Sequence, residues 1–382
     1  MLRKKIALGL SLIFTLGLLS GCSGSKSAST DNKEIKIGFI GPLSGSIATF
    51  GQSGKNALII LEDEVNKSGG VLGKQVKFIY QDDEGKPASA AAVAQKLISN
   101  DHVVALVGAQ TSSCSIAVAP IAKQFKIPMI TGSATNPKVT EGADYTFRSC
   151  FIDPFQGLVN AKFATADLKA KTAAVLYNNG SDYSSGLADT FKENFEKLGG
   201  KIVASETYNN NDQDFNAQLT KIKPLNADVL FLPDYYGTVA LIAKQARNLG
   251  IKSTFMGGDG WDSEDLFKLG GSAVEGAYFS NHYSPDDTSK EVTDFKTAYK
   301  AKYNTVPDTM AVLNYDAAKI LLEAIKAAGK TDADAVKDAL YKTNLNVVSG
   351  KVTFNEKRDA VKSAVVVKAS GGKNVFVKRV EP

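Results

Sequence analysis

The chain has 382 residues, 22% of them charged and 43% hydrophobic, with 45 Lys and Arg against 40 Asp and Glu for a net charge of +5. That length suits more than one globular domain, and the cations are scattered among the acids, which excludes the clustered basic face of a nucleic-acid binder. With two histidines and three cysteines, Ser-His-Asp catalysis, a histidine zinc site and a disulfide framework are all poorly supplied.

The first residues read MLRKKIALGLSLIFTLGLLSGCSGS. Arg3, Lys4 and Lys5 precede an apolar run from Ile6 to Leu19 that is short for a membrane span and suits a secretory signal. Leu19-Ser20-Gly21-Cys22 has the form of a bacterial lipobox, so residues 1–21 are expected to be removed and Cys22 to carry lipid. Residues 22–33, rich in Ser and Lys, follow as a flexible tether. Cleavage removes the three cations and no acids, lowering the net charge from +5 to +2. The remaining thiols are Cys114 and Cys150, and the sequence leaves their pairing open.

From residue 35 onward, strands and helices alternate. IKIGFI (35–40) reads as a strand, and NALIILEDEVNKSGG as a helix that stops at Gly69-Gly70. QVKFIYQDD (75–83) is a strand, and 87–100 an Ala-rich helix opened by Pro87. VVALVG (103–108), IPMIT (127–131), TAAVLY (172–177), DVLFLP (228–233) and STFMGG (253–258) are buried-looking strands separated by helices. This alternation predicts an α/β fold with parallel sheets. The segment from VVALVGAQTSS to IPMITGSATNP is echoed by that from ADVLFLPDYYG to STFMGGDGWDS, which predicts two similar lobes. Ligands bind beyond the carboxyl ends of parallel strands. Four loops, 109–113, 132–136, 233–237 and 257–262, are therefore expected to converge on one cleft.

Enzyme motifs mostly fail. No G-x-G-x-x-G follows a strand, and Gly69-Gly70-Val71-Leu72-Gly73-Lys74 lacks the spacing and hydroxyl residue of a phosphate loop. No G-x-S-x-G elbow is present. His102, beside Asp101, reads as a surface residue opening a strand. The run from Asn209 to Asp214 lacks the Gly and distal Glu of a calcium loop, and Asp212 or Asp214 is expected to cap the following helix. Asp82-Asp83-Glu84-Gly85 is expected to be a solvated turn.

What remains is hydroxyls, aromatics and one glycine-flanked acid. Gln110-Thr111-Ser112-Ser113 ends a strand and opens a helix, where free N–H groups and the dipole favour a carboxylate. Thr131 to Thr135 supplies a second small hydroxyl-bearing loop. In the other lobe Asp259 ends a strand, with Tyr183 and Tyr235 starting nearby helices, and a carboxylate among phenols suits an ammonium group. Gly257, Gly258 and Gly260 are expected to let this strand end lie against the ligand, with Asp262 and Ser263 capping the next helix. Trp261 fits either the cleft rim or lobe packing.

These stretches are similar to bacterial ABC-transporter solute-binding proteins of the leucine/isoleucine/valine-binding family, which have the type I periplasmic-binding fold. The likeness runs through IGFIGPLSGSIATFGQSG, GGVLGKQVKFIYQDDEGKP, QTSSCS, IPMITGSATNP, NNGSDYSSG, KQARNLGIKSTFMGGDGW and NYDAA. The resemblance implies that Ser112 and Thr135 bind the ligand carboxylate and that Ser133 contributes a backbone contact. It also implies that Tyr183, Tyr235 and Asp259 form the far wall, with the acid taking the ammonium, and that Phe50 lines the side-chain pocket. Gln110, Thr111 and Ala134 complete the expected ligand-binding set. Gln110 and Thr111 stand where the family carries apolar residues or, at Thr111, Cys, and Asp259 where it often carries Glu.

The expected architecture is two Rossmann-like lobes, 34–152 with 283–353 and 153–282 with 354–382, joined by three crossings near residues 152, 282 and 353. The expected function is capture of a branched-chain or other small amino acid and its delivery to a membrane permease driven by ATPases. The protein is then an extracytoplasmic monomer, lipid-anchored through Cys22 to the outer face of the cytoplasmic membrane, with no cofactor, metal or catalysis. Alternatives are an amide or other small solute as ligand, a sensor subunit, or an extracytoplasmic hydrolase using Asp259 as base.

Overall fold

The computed structural model describes residues 33–382; the expected signal peptide, the lipidation site Cys22 and the tether before Lys33 lie outside them. Two central sheets organise the chain. In the first, five strands lie in the spatial order Gln75–Asp82, Glu34–Gly41, Ala105–Val107, Met129–Thr131 and Thr146–Arg148, all parallel. In the second, the seven-stranded order is Lys373–Val380, Ala364–Ser370, Tyr278–Asn281, Thr254–Gly257, Val229–Phe231, Thr172–Asn178 and Lys201–Tyr208. Its last five strands are parallel, and the C-terminal hairpin adds an antiparallel edge.

Each sheet is covered on both faces, as the apolar strand runs require. On the first, helices Ala48–Lys67 and Thr309–Ala328 bury Leu58, Leu61, Val312, Leu321 and Ile325 on one side, and Ala94, Leu97, Val118 and Ala122 pack on the other. On the second, Leu219, Val239, Ile242 and Trp261 cover one face, and Val159, Leu187, Phe191 and Phe195 the other. Helix ends follow local chemistry. Asp308 caps Thr309–Ala328 by accepting from the Ala311 N–H at 2.8 Å, and Gly329 ends it at φ +65°. Ser181 caps Asp182–Lys197 through the Ser184 N–H.

The strand orders locate a binding site before any side chain is considered. Read in chain order, the parallel part of each sheet runs 2-1-3-4-5, so its topological switch point lies between the first and third strands. In the first lobe that point faces the loops after Gly41 and Val107, and in the second the loops after Asn178 and Phe231. Phe50, Gln110 and Ser112 follow the first pair, and Tyr183 and Tyr235 the second.

The chain passes between lobes at Phe151–Asp153, at Asn281–Tyr283 and between Val361 and Ala364. The last passage falls later than the expected position near residue 353. Gly350–Phe354 and Ala360–Val361 pair in a small antiparallel sheet with Asn344–Val347, and Val352 and Ala360 belong to the first lobe's core.

Local expectations are also revised. Asp82 and Asp83 do not form a solvated turn. The Asp82 carboxylate accepts from the Leu43, Ser44 and Glu84 N–H groups and from Ser44 Oγ, pinning the loop that leads into helix Ala48–Lys67. Asp83 is fully buried, and burial raises its pKa to about 6. Asp214, not Asp212, accepts from the Asn216 N–H at the start of the next helix. His102 is exposed and precedes the strand, which starts at Ala105. Cys114 and Cys150 are both free and buried, and burial pushes each thiol up to about 12. Among the described residues no helix is long and apolar enough to cross a membrane.

Candidate functional site

The two switch points face each other across a small cavity lined by Phe50, Gln110, Ser112, Ser133, Tyr183, Tyr235, Asp259, Gly260 and Met310. The lobes are closed over it: Phe50 and Met310 of the first lobe pack into the second lobe's apolar cluster, and the Phe50 ring meets Tyr235 and Tyr236 edge-on at 5.7 and 5.3 Å.

One wall is a hydroxyl-bearing helix terminus. Thr111 is the N-cap of helix Ser112–Gln124, and Ser112 is its first residue. Ser112 Oγ accepts from the Asn136 N–H at 3.2 Å, and Ser133 Oγ donates to the Gln110 carbonyl at 2.8 Å. These bonds clamp the two expected loops together and leave the Ser112 proton available to an anion. Thr111, Ala134 and Thr135 stand behind this wall rather than on it. The Ala134 carbonyl accepts from Arg148 Nη1, and the Thr135 carbonyl from the Asp153 N–H.

The opposite wall centres on Asp259, which is 2% exposed. Its Oδ1 accepts from Gln156 Nε2 at 2.8 Å and from the Tyr183 hydroxyl at 2.9 Å, and its Oδ2 lies 3.0 Å from His282 Nε2. The Tyr183 oxygen in turn accepts from the Gly260 N–H at 3.0 Å. Burial lowers the His282 pKa to about 4, so at neutral pH the imidazole is uncharged and Nε2 carries the proton that Asp259 accepts. Three neutral donors thus orient the carboxylate without cancelling its charge, and among the described residues no Lys or Arg pairs with it. A second buried acid, Asp153, stays protonated at neutral pH, because burial raises its pKa to about 8. Asp259 is the one acid among the residues lining the cavity.

Two of the glycines around Asp259 make room for protein side chains, whereas Gly260 lines the cavity. A Cβ on Gly257 would lie 2.2 Å from the Trp261 indole, and one on Gly258 2.5 Å from the Tyr183 hydroxyl. Trp261 packs in the second lobe's core, fully buried, and donates from Nε1 to the Leu232 carbonyl at 2.9 Å. Ser263 caps helix Glu264–Gly270 as expected, but Asp262 does not. Asp262 accepts from the Thr309 N–H and from Asn281 and Asn374, tying the start of Thr309–Ala328 to the second lobe.

Several site residues escaped the sequence reading. Gln156 lies in the first turn of helix Asp153–Lys162, directly after the first crossing, and His282 lies on the second. His282 also stacks on Phe151 of the first crossing, ring centroids 3.5 Å apart, so both crossings touch the group that holds Asp259. The expected crossings near 152 and 282 were the available signal. Arg148 was invisible. Its guanidinium donates to the Ala134, Asn136 and Pro137 carbonyls and to Thr140 Oγ1, and pairs with Asp359 at 2.7 Å. It thereby shapes the loop that carries Ser133.

Closure is also fastened away from the cavity. Ser113 Oγ donates to Asp182 Oδ2 at 2.9 Å and accepts from the Asp182 N–H, while Asn136 Nδ2 donates to the Asp182 carbonyl at 2.7 Å. Asp182→Ala removes the side-chain bond and its ion pair with Lys138 but leaves the backbone contacts. The loss of about one hydrogen bond from the closed state is expected to weaken solute affinity about five- to tenfold. Stopped-flow binding should show the change as faster release, since the residue touches no ligand.

Among the described residues no group of three or more His, Cys, Asp or Glu is placed to hold a metal ion. The periplasmic binding protein family model matches residues 34–373. A leucine-, isoleucine-, valine-, threonine- and alanine-binding protein of Pseudomonas aeruginosa is 33% identical over 361 residues, covering 93% of this chain and 94% of that protein. A crystal structure of the leucine-binding protein LivK from Thermotoga maritima superimposes with a TM-score of 0.88 at 38% identity, covering 91% of this chain and 99% of that one. The branched-chain amino acid transporter substrate-binding protein LivJ of Streptococcus pneumoniae, in complex with isoleucine, gives 0.86 at 35% identity, covering 91% and 100%.

Proposed function

The chain belongs to the periplasmic binding protein family, a family of extracytoplasmic solute-binding proteins, and on that premise we propose that it captures a small amino acid as a zwitterion between its lobes for an ABC importer. The observation that carries this reading is the buried, cation-free Asp259 carboxylate facing a hydroxyl-bearing helix N-terminus across one cavity. An unpaired buried charge is costly, and an α-ammonium group relieves it. The ligand carboxylate then meets Ser112 and the free N–H groups of helix Ser112–Gln124, where the dipole favours negative charge. Thr111, Ala134 and Thr135 support this socket from behind.

Because the two charged ends of the ligand engage different lobes, it binds the closed form more tightly than the open one and shifts the population toward closure. The closed form is the one a membrane permease with its ATPase subunits would receive. In this reading the protein does no chemistry of its own, and His282, neutral and buried, serves to hold Asp259. The ligands of the relatives support an aliphatic or hydroxylated side chain. Export by residues 1–21 and lipidation of Cys22 would hold a monomer at the outer face of the cytoplasmic membrane.

A thermal-shift screen of the twenty amino acids, their amides and small carboxylates tests the reading, since a solute that binds only the folded chain raises its melting temperature. At least one small neutral amino acid is expected to shift the transition upward. Shifts confined to carboxylates without an amino group would overturn the assignment of Asp259.

A further inference from the structure

Resting on the amino-acid reading above, we propose that Gln110 selects the ligand's side chain and favours an uncharged one bearing a hydroxyl or a carboxamide. Phe50 and Met310 line the cavity from the first turns of helices Ala48–Lys67 and Thr309–Ala328. One helical turn deeper, at i+4, stand Gly54 and Asn314. The Gln110 amide lies against both. A Cβ on Gly54 would fall 2.4 Å from Gln110 Nε2 and 3.0 Å from Asn314 Nδ2, and one on Gly41 3.2 Å from Gln110 Cδ. Two glycines therefore keep room for this side chain as the floor of the pocket beneath Phe50 and Met310.

The floor is polar and unsatisfied. Gln110 is 3% exposed, yet neither its Nε2 nor its Oε1 has a hydrogen-bond partner. Asn314 spends its Nδ2 on the Met310 carbonyl, and its Oδ1 is likewise unpartnered. Buried amides are almost always paired, and an orphaned one costs more than a made bond gains. Gln110 offers one donor side and one acceptor side, which a carboxamide satisfies with two bonds and a hydroxyl with one. An aliphatic side chain seals the floor with the amide still unpaired, the arrangement by which polar sites reject apolar analogues.

Calorimetry with two near-isosteric pairs tests this: threonine against valine, and asparagine against leucine. In at least one pair the polar member is expected to bind about tenfold or more tightly than its aliphatic partner, and Gln110→Leu to abolish that margin. A margin below about tenfold in both pairs, as would follow if a buried water satisfied Gln110 and Asn314, overturns the proposal. So does a polar preference that survives Gln110→Leu. Gln110→Met repeats the comparison should the leucine variant misfold, and the wild-type margins depend on neither. Valine and leucine each binding within about tenfold of its polar partner overturns this assignment alone; failure of all four to bind, with no amino acid shifting the melting temperature in the thermal screen, overturns it together with the amino-acid reading.

Discussion

Asp259→Ala is expected to abolish amino-acid binding while leaving the protein folded. In the bound state the ligand ammonium would be enclosed with no anion, a loss of roughly 3–5 kcal/mol for a buried pair broken on one side. That corresponds to an affinity about a hundredfold to several thousandfold weaker. The unliganded protein is affected by two opposed terms. Removing the carboxylate relieves an uncompensated buried charge, but it orphans the donors Gln156 Nε2 and His282 Nε2, each at home on Asp259. The Tyr183 hydroxyl loses its acceptor as well and keeps only the bond it accepts from the Gly260 N–H. The melting temperature should therefore move far less than the affinity. Asp259→Asn separates charge from shape: it keeps the volume and one acceptor, and should still lose most of the binding. Calorimetry with the strongest solute from the thermal screen measures both variants, and wild-type-like affinity in either would remove Asp259 from the ammonium role.

The reach of the sequence can be followed residue by residue. Ser112, Ser133, Tyr183, Tyr235 and Asp259 were legible because each sits just past the carboxyl end of a parallel strand, where alternating βαβ units deliver side chains to a common edge. Phe50 was located through the family resemblance. Gln156 and His282 reach the Asp259 carboxylate, and Met310 the cavity, by other routes: from the helix that follows the first interlobe crossing, from the second crossing, and from a helix far along the chain. Their approach depends on how the lobes meet, which no local pattern encodes. The glycines flanking Asp259 show a different limit. Their permissiveness is readable, but what fills the vacated space is not, and Trp261 and Tyr183 fill it. The acids at 82 and 83 looked like a surface turn by composition. Only the loop they hold, Leu43 to Ser44 on Asp82, makes them structural. The third crossing leaves no mark in the sequence, because Ala360–Val361 is too short a strand to register as a pattern.

Arg148→Met is expected to be the most destabilising single change near the site. The guanidinium and the Asp359 carboxylate are 0% and 6% exposed as side chains, and removing one partner leaves the other charge buried with Thr140 Oγ1 as its remaining side-chain donor. Breaking such a pair on one side costs about 3–5 kcal/mol, a large share of the 5–15 kcal/mol that holds a typical domain together. Urea melts should show the loss as a lower midpoint with little change in slope. Lysine is no substitute, because one ammonium cannot serve Ala134, Asn136, Pro137 and Thr140 from a planar fork. The double variant Arg148→Met/Asp359→Leu divides the two tasks of this arginine. With no orphaned charge left, it should regain much of the lost stability, as buried pairs replaced by apolar residues often do. It should not regain solute affinity, because the carbonyls of Ala134 and Asn136 still lack the donors that hold the Ser133 loop against Gln110. Recovery of affinity in step with stability would mean that Arg148 acts on the fold alone and that the loop keeps its shape without it.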